Sequence, residues 1–246
     1  MKLNAVLDFV NFIIAKEQSG NILSPSKFNT LLTVVNLEMY NSKVQEAEMY
    51  ANQNSIPFTQ ALFGQKTLKE FHKKQSITFS SGIYTLSSLD FTFGYWGALN
   101  HIQFNRRKIE LVSDNKLNDM RNNLLYDPIE FYPVATLINN SIYVYPSNIT
   151  TAEFFYMTIP NSPVYDYYLD QYQNKVYLEA GADHLLTTGE TGSAGQVSGQ
   201  TVGSLTVELE WNELMHTDFC YELIKKLSPH LDKAQLYQYA QQEKVA

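Results

Sequence analysis

Two spacings of apolar residues divide the chain. Over residues 3–17, Val6, Phe9, Val10 and Ile13 fall at i, i+3, i+4 and i+7. They predict an amphipathic helix with those four residues on one face. Gly20 ends it. Ser24 and Pro25 then supply an N-cap and a first helical residue. Phe28, Leu31, Leu32, Val35 and Met39 stripe a second helix that runs to about residue 51. Two helices on a short linker predict a helical hairpin. Pro57 breaks the pattern, and 58–63 predict one more helical turn or a bend. Residues 66–75 predict a short basic helix with Lys66, Lys69 and Lys73 along one side. That side reads as a solvated face or as a contact to an acidic neighbouring subunit.

From residue 76 the period falls to two. Ile77 and Phe79, 83–85, 91–93, 102–104 and 109–112 predict strands, as do 129–132, 141–145, 151–159 and 175–178. Ser113 or Asp114 caps a short helix to about Leu125. Pro128, Pro133, Pro146, Pro160 and Pro163 stand at strand ends, where a residue without an N–H is tolerated. Residues 181–204 hold six of the 11 glycines among Ser, Thr and Gln, which predicts a flexible or partner-ordered loop. Val202, Leu205, Val207 and Leu209 alternate as a strand over 202–210. Trp211, Leu214, Met215, Phe219, Leu223 and Leu227 then line a helix that Ser228-Pro229 stops, and Asp232 with Gln235 caps a last one.

The expected fold is therefore α+β. Helix pairs at the two termini form a helical core, over 1–76 and 205–246, the latter part opening with the strand. Between them, 77–204 is an antiparallel β-rich, sandwich-like insertion that includes the loop 181–204.

Charge is uneven. Residues 145–223 carry eleven acids against one base, Lys175, in a chain of net charge −7. No basic groove for nucleic acid is expected from this balance. Charged residues make up 17% of the chain, while 17 tyrosines and 14 phenylalanines favour β-structure or surfaces that meet partners. The single cysteine, Cys220, excludes an intramolecular disulfide and a cysteine-based zinc site. The start has no basic n-region with a cleavage site, and the run Phe12-Ile13-Ile14-Ala15 is too short to span a bilayer. A protein made and kept, or assembled, in a cytosol without membrane insertion is expected.

No phosphate loop, dinucleotide fingerprint, zinc-protease helix or nucleophile elbow occurs. The Gly189–Gly195 stretch lacks a phosphate loop's lysine. His72, His101, His184, His216 and His230 are scattered without ligand spacing. Glu208 and Glu210, two apart on the predicted strand, are the one carboxylate pair that suits glycoside hydrolysis, and they suit an exposed strand face better. Arg106-Arg107-Lys108 reads as a salt-bridging edge. No catalytic, cofactor-binding or metal-binding residue is assigned. The candidate protein-interface residues are two aromatic clusters, Phe93, Tyr95 and Trp96, and Tyr165, Tyr167 and Tyr168. Core packing is their default, and subunit contact their role if exposed.

Both ends carry a family likeness. Asp8-Phe9-Val10-Asn11-Phe12, Lys16-Glu17, Gly20, Ser24-Pro25 and Phe28-Asn29 at the start resemble the termini of virion proteins of crAss-like and related phages of Bacteroidetes. So do Glu210-Trp211, Leu214, His216 and Gln235-Leu236-Tyr237-Gln238-Tyr239-Ala240 at the close. No family pattern covers 77–204. The resemblance implies a ring-forming head-to-tail connector or tail-barrel component, a typically twelvefold homo-oligomer below the portal through which DNA passes without specific binding. It implies the portal and neighbouring tail ring proteins as partners and the virion as location, after assembly in the host cytoplasm. A ring of this kind needs two complementary patches per subunit. The alternatives are a surface- or carbohydrate-binding tail component and, further off, a glycoside hydrolase using Glu208 or Glu210.

Overall fold

A computed structural model describes residues 2–17, 23–102, 107–123 and 125–227. Its helices are α1 (Leu3–Glu17), α2 (Pro25–Asn54), α3 (Phe58–Gly64), α4 (Asp114–Asn122) and α5 (His216–Leu227). Strands are β1 (His72–Thr78), β2 (Ile83–Thr85), β3 (Phe93–His101), β4 (Arg107–Leu111), β5 (Val134–Ile138), β6 (Ser141–Tyr145) and β7 (Thr151–Thr158). Short strands follow: β8 (Tyr167–Leu169), β9 (Lys175–Tyr177), β10 (Asp183–Leu185), β11 (Thr191–Gly192) and β12 (Thr201–Gly203). The fold is mixed α and β, with one large antiparallel-rich sheet and several helices. Two compact units make it up, one from Met1–Glu46 with Pro160–Ala246 and the other from Ala47–Ile159. The predicted last helix, its caps and the stop at Ser228-Pro229 lie outside the described residues.

In the first unit, α1 buries Leu3, Val6, Leu7 and Val10, while Phe9 and Phe12 are 37% and 64% exposed. The buried stripe thus keeps Val6 and Val10 of the expected face, adds Leu3 and Leu7, and leaves Phe9 at its margin; α1 is in contact with α5. Helix α2 starts as expected, with the Ser24 Oγ accepting from the Lys27 amide. Its buried face holds Phe28, Leu32, Val35 and Met39. Asn29 and Asn36, two turns apart, share a side of α2 and act as polar clamps. Asn29 accepts from the Tyr165 amide at 2.7 Å and donates to the Tyr165 carbonyl at 2.9 Å. Asn36, 2% exposed, accepts from the Trp211 indole at 2.7 Å and donates to the Asn161 carbonyl at 2.9 Å. Helix α5 buries Phe219, Cys220, Leu223, Ile224 and Leu227, but Leu214, expected on that face, is 84% exposed in the turn before it. Burial pushes the Cys220 thiol up to about 11, so it behaves as a small apolar residue.

The glycine-rich stretch 181–204, expected as a loop, contains β10, β11 and β12. Strands β10 and β12 pair with each other, and β11 adds to β8 and β9 in a three-stranded sheet. Leu178, Leu186 and Val202 form a small core beneath them. The expected strand over 202–210 is only β12 and a single bridge from Val207 to Val164. Leu205 is 67% exposed while Thr206 is buried, which inverts the alternation. The Thr206 hydroxyl accounts for this, because it donates to the Leu178 carbonyl at 2.6 Å and accepts from the Asp166 amide at 3.1 Å.

In the second unit the sheet has seven strands in the order β1-β7-β3-β4-β5-β6-β2, and only β4 and β5 run parallel. Its two edge strands, β1 and β2, are neighbours in sequence, ending at Thr78 and starting at Ile83. Five residue steps reach at most roughly 18 Å. Six flat strand spacings would measure roughly 29 Å. The sheet must therefore curl. Its enclosed face carries the core, with Ile77, Leu99, Ile109, Ile142, Ala152, Phe154 and Tyr156 all buried. The basic helix expected over 66–75 is a 3-10 turn over Lys66–Phe71, after which the chain is already β1. Ser113 caps α4, accepting from the Lys116 amide at 3.4 Å.

Strand β3 departs most from expectation. Its register against β7 slips between Phe93 and Tyr95 and again between Trp96 and Ala98, which breaks the alternation in sequence. At the second slip a Cβ on Gly97 would meet the Phe63 ring at 2.6 Å and the Phe155 carbonyl at 2.7 Å. Gly97 thus lets α3 lie against β3. Gly97→Ala should lower stability by about 1–3 kcal/mol in denaturant melts. Trimming the ring with Phe63→Leu in the same chain should recover only part of the loss, because the carbonyl stays in place.

Candidate interaction surface

The six aromatic residues singled out from the sequence take different places. Phe93 and Trp96 are half-buried and lean on Phe154, with ring centroids at 6.0 and 4.9 Å. Tyr95 meets Phe58 edge-on at 6.0 Å. Tyr165 is 4% exposed, packed between Phe28 and Tyr177, and burial pushes its phenol up to about 12. It is a core residue with no surface to offer. Tyr167 lies under the Lys175 ammonium, and Tyr168 stacks on the His184 imidazole at 4.0 Å. The clusters are therefore largely structural, and their half-buried members are secured by neighbours within their own unit.

The acidic stretch has a definite local use. Asp166, buried, accepts from the amides of Tyr167 and Leu205 at 2.9 and 3.0 Å and from the Ser193 hydroxyl at 2.6 Å. Glu208 accepts from the Leu3 amide at 2.8 Å and from the Tyr177 hydroxyl. Glu210 takes the Asn161 amide and side chain at 3.0 and 2.8 Å. Asp170 closes the β8–β9 turn through the amides of Tyr172 and Asn174, and the Asn174 side chain together with these holds its carboxyl below the usual range. Glu190 accepts from the Thr187 amide and from His184, which lower its pKa in the same way. Four of these carboxylates thus fasten loop backbone and Glu208 fastens the first residue of α1, as charge-assisted bonds do well. Glu208 and Glu210, which the sequence suits better to an exposed strand face than to glycoside hydrolysis, are both half-buried and engaged in hydrogen bonds of this kind.

A further exposed surface lies in the second unit, where the strand expected over 129–132 is a turn closed by a single Ile129–Tyr132 bridge. Between α4 and β5, Leu125, Tyr126, Ile129, Phe131 and Tyr132 are 89%, 66%, 51%, 51% and 72% exposed. Pro128 and Pro133 point inward and are buried. The Tyr132 amide bonds the Ile129 carbonyl at 2.9 Å, making a tight turn. Arg107 donates to the Phe131 carbonyl at 2.8 Å, and its guanidinium stands 5.4 and 5.7 Å from the Phe131 and Tyr132 rings. The salt-bridging role expected for this basic run is, at Arg107, a cation–π and carbonyl clamp; Arg106 lies outside the described residues. The signal in the sequence is a set of large apolar residues on both sides of Pro128. Such a patch, held outward by a cation, has the composition of an interface centre.

Among the described residues no group of three or more His, Cys, Asp and Glu side chains could hold a metal ion. No described helix is long and apolar enough to cross a membrane. No protein-family model matches the chain, and no curated protein matches it. The surface is thus read from its own chemistry. Asp166→Ala would strand two amides and a hydroxyl, and should cost about 1–3 kcal/mol. Thermal melts would show it as a lowered Tm, whereas Asp183→Ala, exposed on β10, should leave the Tm within error.

Proposed function

We propose that this protein is a virion structural component: a subunit of an oligomeric ring that links the portal to the tail and forms part of the genome-ejection channel. The observation that carries the reading is the clamped aromatic turn 125–132, a large apolar surface whose clamp leaves it directed at solvent. Copies placed side by side would bury it, and repeating one heterologous contact closes a ring. In this reading α1 and α5, which touch each other, belong to the helical core expected from the termini. Opposed faces of the curled sheet take the part of the sandwich-like region. The assembled particle would sit at the head–tail junction after assembly in the host cytoplasm, with portal and tail ring proteins above and below.

Charge supports the channel reading. The unit from 47–159 has nine bases and nine acids, so the whole excess of −7 lies in the other unit, with nine bases against sixteen acids. A wall of that sign repels passing DNA instead of trapping it, since only basic surfaces release counterions on binding. A hydrolase built on Glu208 and Glu210 fits less well, because both carboxylates are spent on backbone amides and a phenol.

The test is the mass of the purified chain, alone and mixed with its portal, together with class averages by electron microscopy. Rings with rotational symmetry are expected, and Leu125→Ser with Tyr132→Ser should reduce them to monomers whose circular dichroism is unchanged. A monomer under every condition, or rings indifferent to both substitutions, would overturn the proposal.

A further inference from the structure

A second feature of the curled-sheet unit plays no part in the ring reading. Beside β3 lies an open cleft of about 320 Å³, framed by residues 86–93 and by Asn140. Its lining is set from several directions. The Leu86 amide donates to the Asn140 carbonyl at 2.9 Å, where Asn139 and Asn140 make the left-handed turn between β5 and β6 with φ of 46° and 62°. The Asp90 amide donates to the Gln75 side chain on β1 at 3.3 Å. The Thr92 carbonyl accepts from the Ile159 amide at 3.1 Å, just past β7. A stretch with little regular structure of its own is thereby fixed to three parts of the sheet.

The chemistry of the lining is specific. Leu86, Leu89 and Phe93 form an apolar side, and Phe93 is stacked on Phe154 behind it. Phe91 remains 42% exposed, steadied by the Lys73 ammonium at 4.7 Å from its ring centre. Ser87, Asp90, Thr92 and Asn140 supply a hydroxyl, a carboxylate, a second hydroxyl and an amide. Asp90 is the one charged side chain of the lining, so an anion is disfavoured. Lys73 beside Phe91 opposes a cation. What suits an aromatic face next to neutral and carboxylate acceptors is a ligand with an apolar ring face and a rim of hydroxyls. The volume is at the lower end for small-ligand sites, which sets the size at one or two sugar rings.

We infer that this cleft binds a neutral saccharide, with a sugar ring laid on the face of Phe91 opposite the Lys73 ammonium and its hydroxyls bonded to Asp90, Ser87 and Asn140. Binding here requires no catalysis and no particular oligomeric state. It is independent of the ring proposal.

An array of neutral oligosaccharides, probed with the full chain, is the test, followed by hydrogen–deuterium exchange with the best binder. Inorganic phosphate and an oligolysine peptide serve as comparison ligands. The expected result is that at least one neutral saccharide binds and slows exchange over 84–93 and 138–142. Phe91→Ala and Asp90→Asn should each weaken it tenfold or more, while Tyr172→Ala in the other unit changes nothing. Matching exchange patterns without ligand verify that the variants are folded. The inference is overturned if no neutral saccharide binds, if protection maps elsewhere, if both cleft variants bind as the parent does, or if only phosphate or oligolysine binds. None of these outcomes alters the mass or symmetry by which a ring is judged.

Discussion

Backbone amides that no ladder satisfies must find acceptors, or their burial destabilises the fold. Between Pro160 and Trp211 the chain has only short strands; backbone carbonyls of the turns meet most of that need, and carboxylates meet it at the amides of Asn161, Tyr167, Tyr172, Asn174, Thr187 and Leu205. Asp166 joins β8, the glycine-rich stretch and the segment after β12, because its two oxygens take Tyr167, Ser193 and Leu205. Glu208 reaches the first residue of α1, where helical N–H groups have no internal partner, and a negative charge suits that end of the helix dipole. The acidity of the segment is therefore partly architectural.

The second unit solves its packing differently. A four-residue link between first and last strands of the sheet forces it to curl around Phe154 and Tyr156. Curling encloses one core, and the segment 86–93, which leads from the edge strand β2 into β3, makes a cleft. The turn 125–132 carries the opposite arrangement, with prolines buried and aromatics outside. These are two kinds of exposed apolar surface, one a small concavity with polar groups and one a convex patch, and they suit ligands of very different size.

Local signals in the sequence were reliable where the structure is local. Ser24-Pro25 and Ser113 start helices because their cap chemistry is complete within four residues. The stripe of α2 and the strands β6, β7 and β9 also follow from spacing alone. Strand β3 was hidden because Gly94 and Gly97 stand at register slips, where alternation fails. Strand β5 was missed behind Pro133. Over 202–210 the expected strand shrinks to β12 and the Val207 bridge, because the Thr206 hydroxyl finds partners inside and turns Leu205 outward. Of the candidate interface residues, Tyr165 is core, and nothing in the sequence says that Phe28 and Tyr177 flank it. The clamp at Arg107 and the cleft around Phe91 both depend on contacts across the sheet, which no spacing encodes.

In the loop-rich unit several amides outside the strand ladders are held by carboxylates. Hydrogen–deuterium exchange of the intact chain at neutral pH reads that directly. The amides of Leu3, Asn161, Tyr167 and Leu205 should exchange as slowly as those within paired strands such as β5 and β6. If they exchange at the rate of open loop amides, the carboxylate fastening does not hold the segment, and the account of its architecture is wrong.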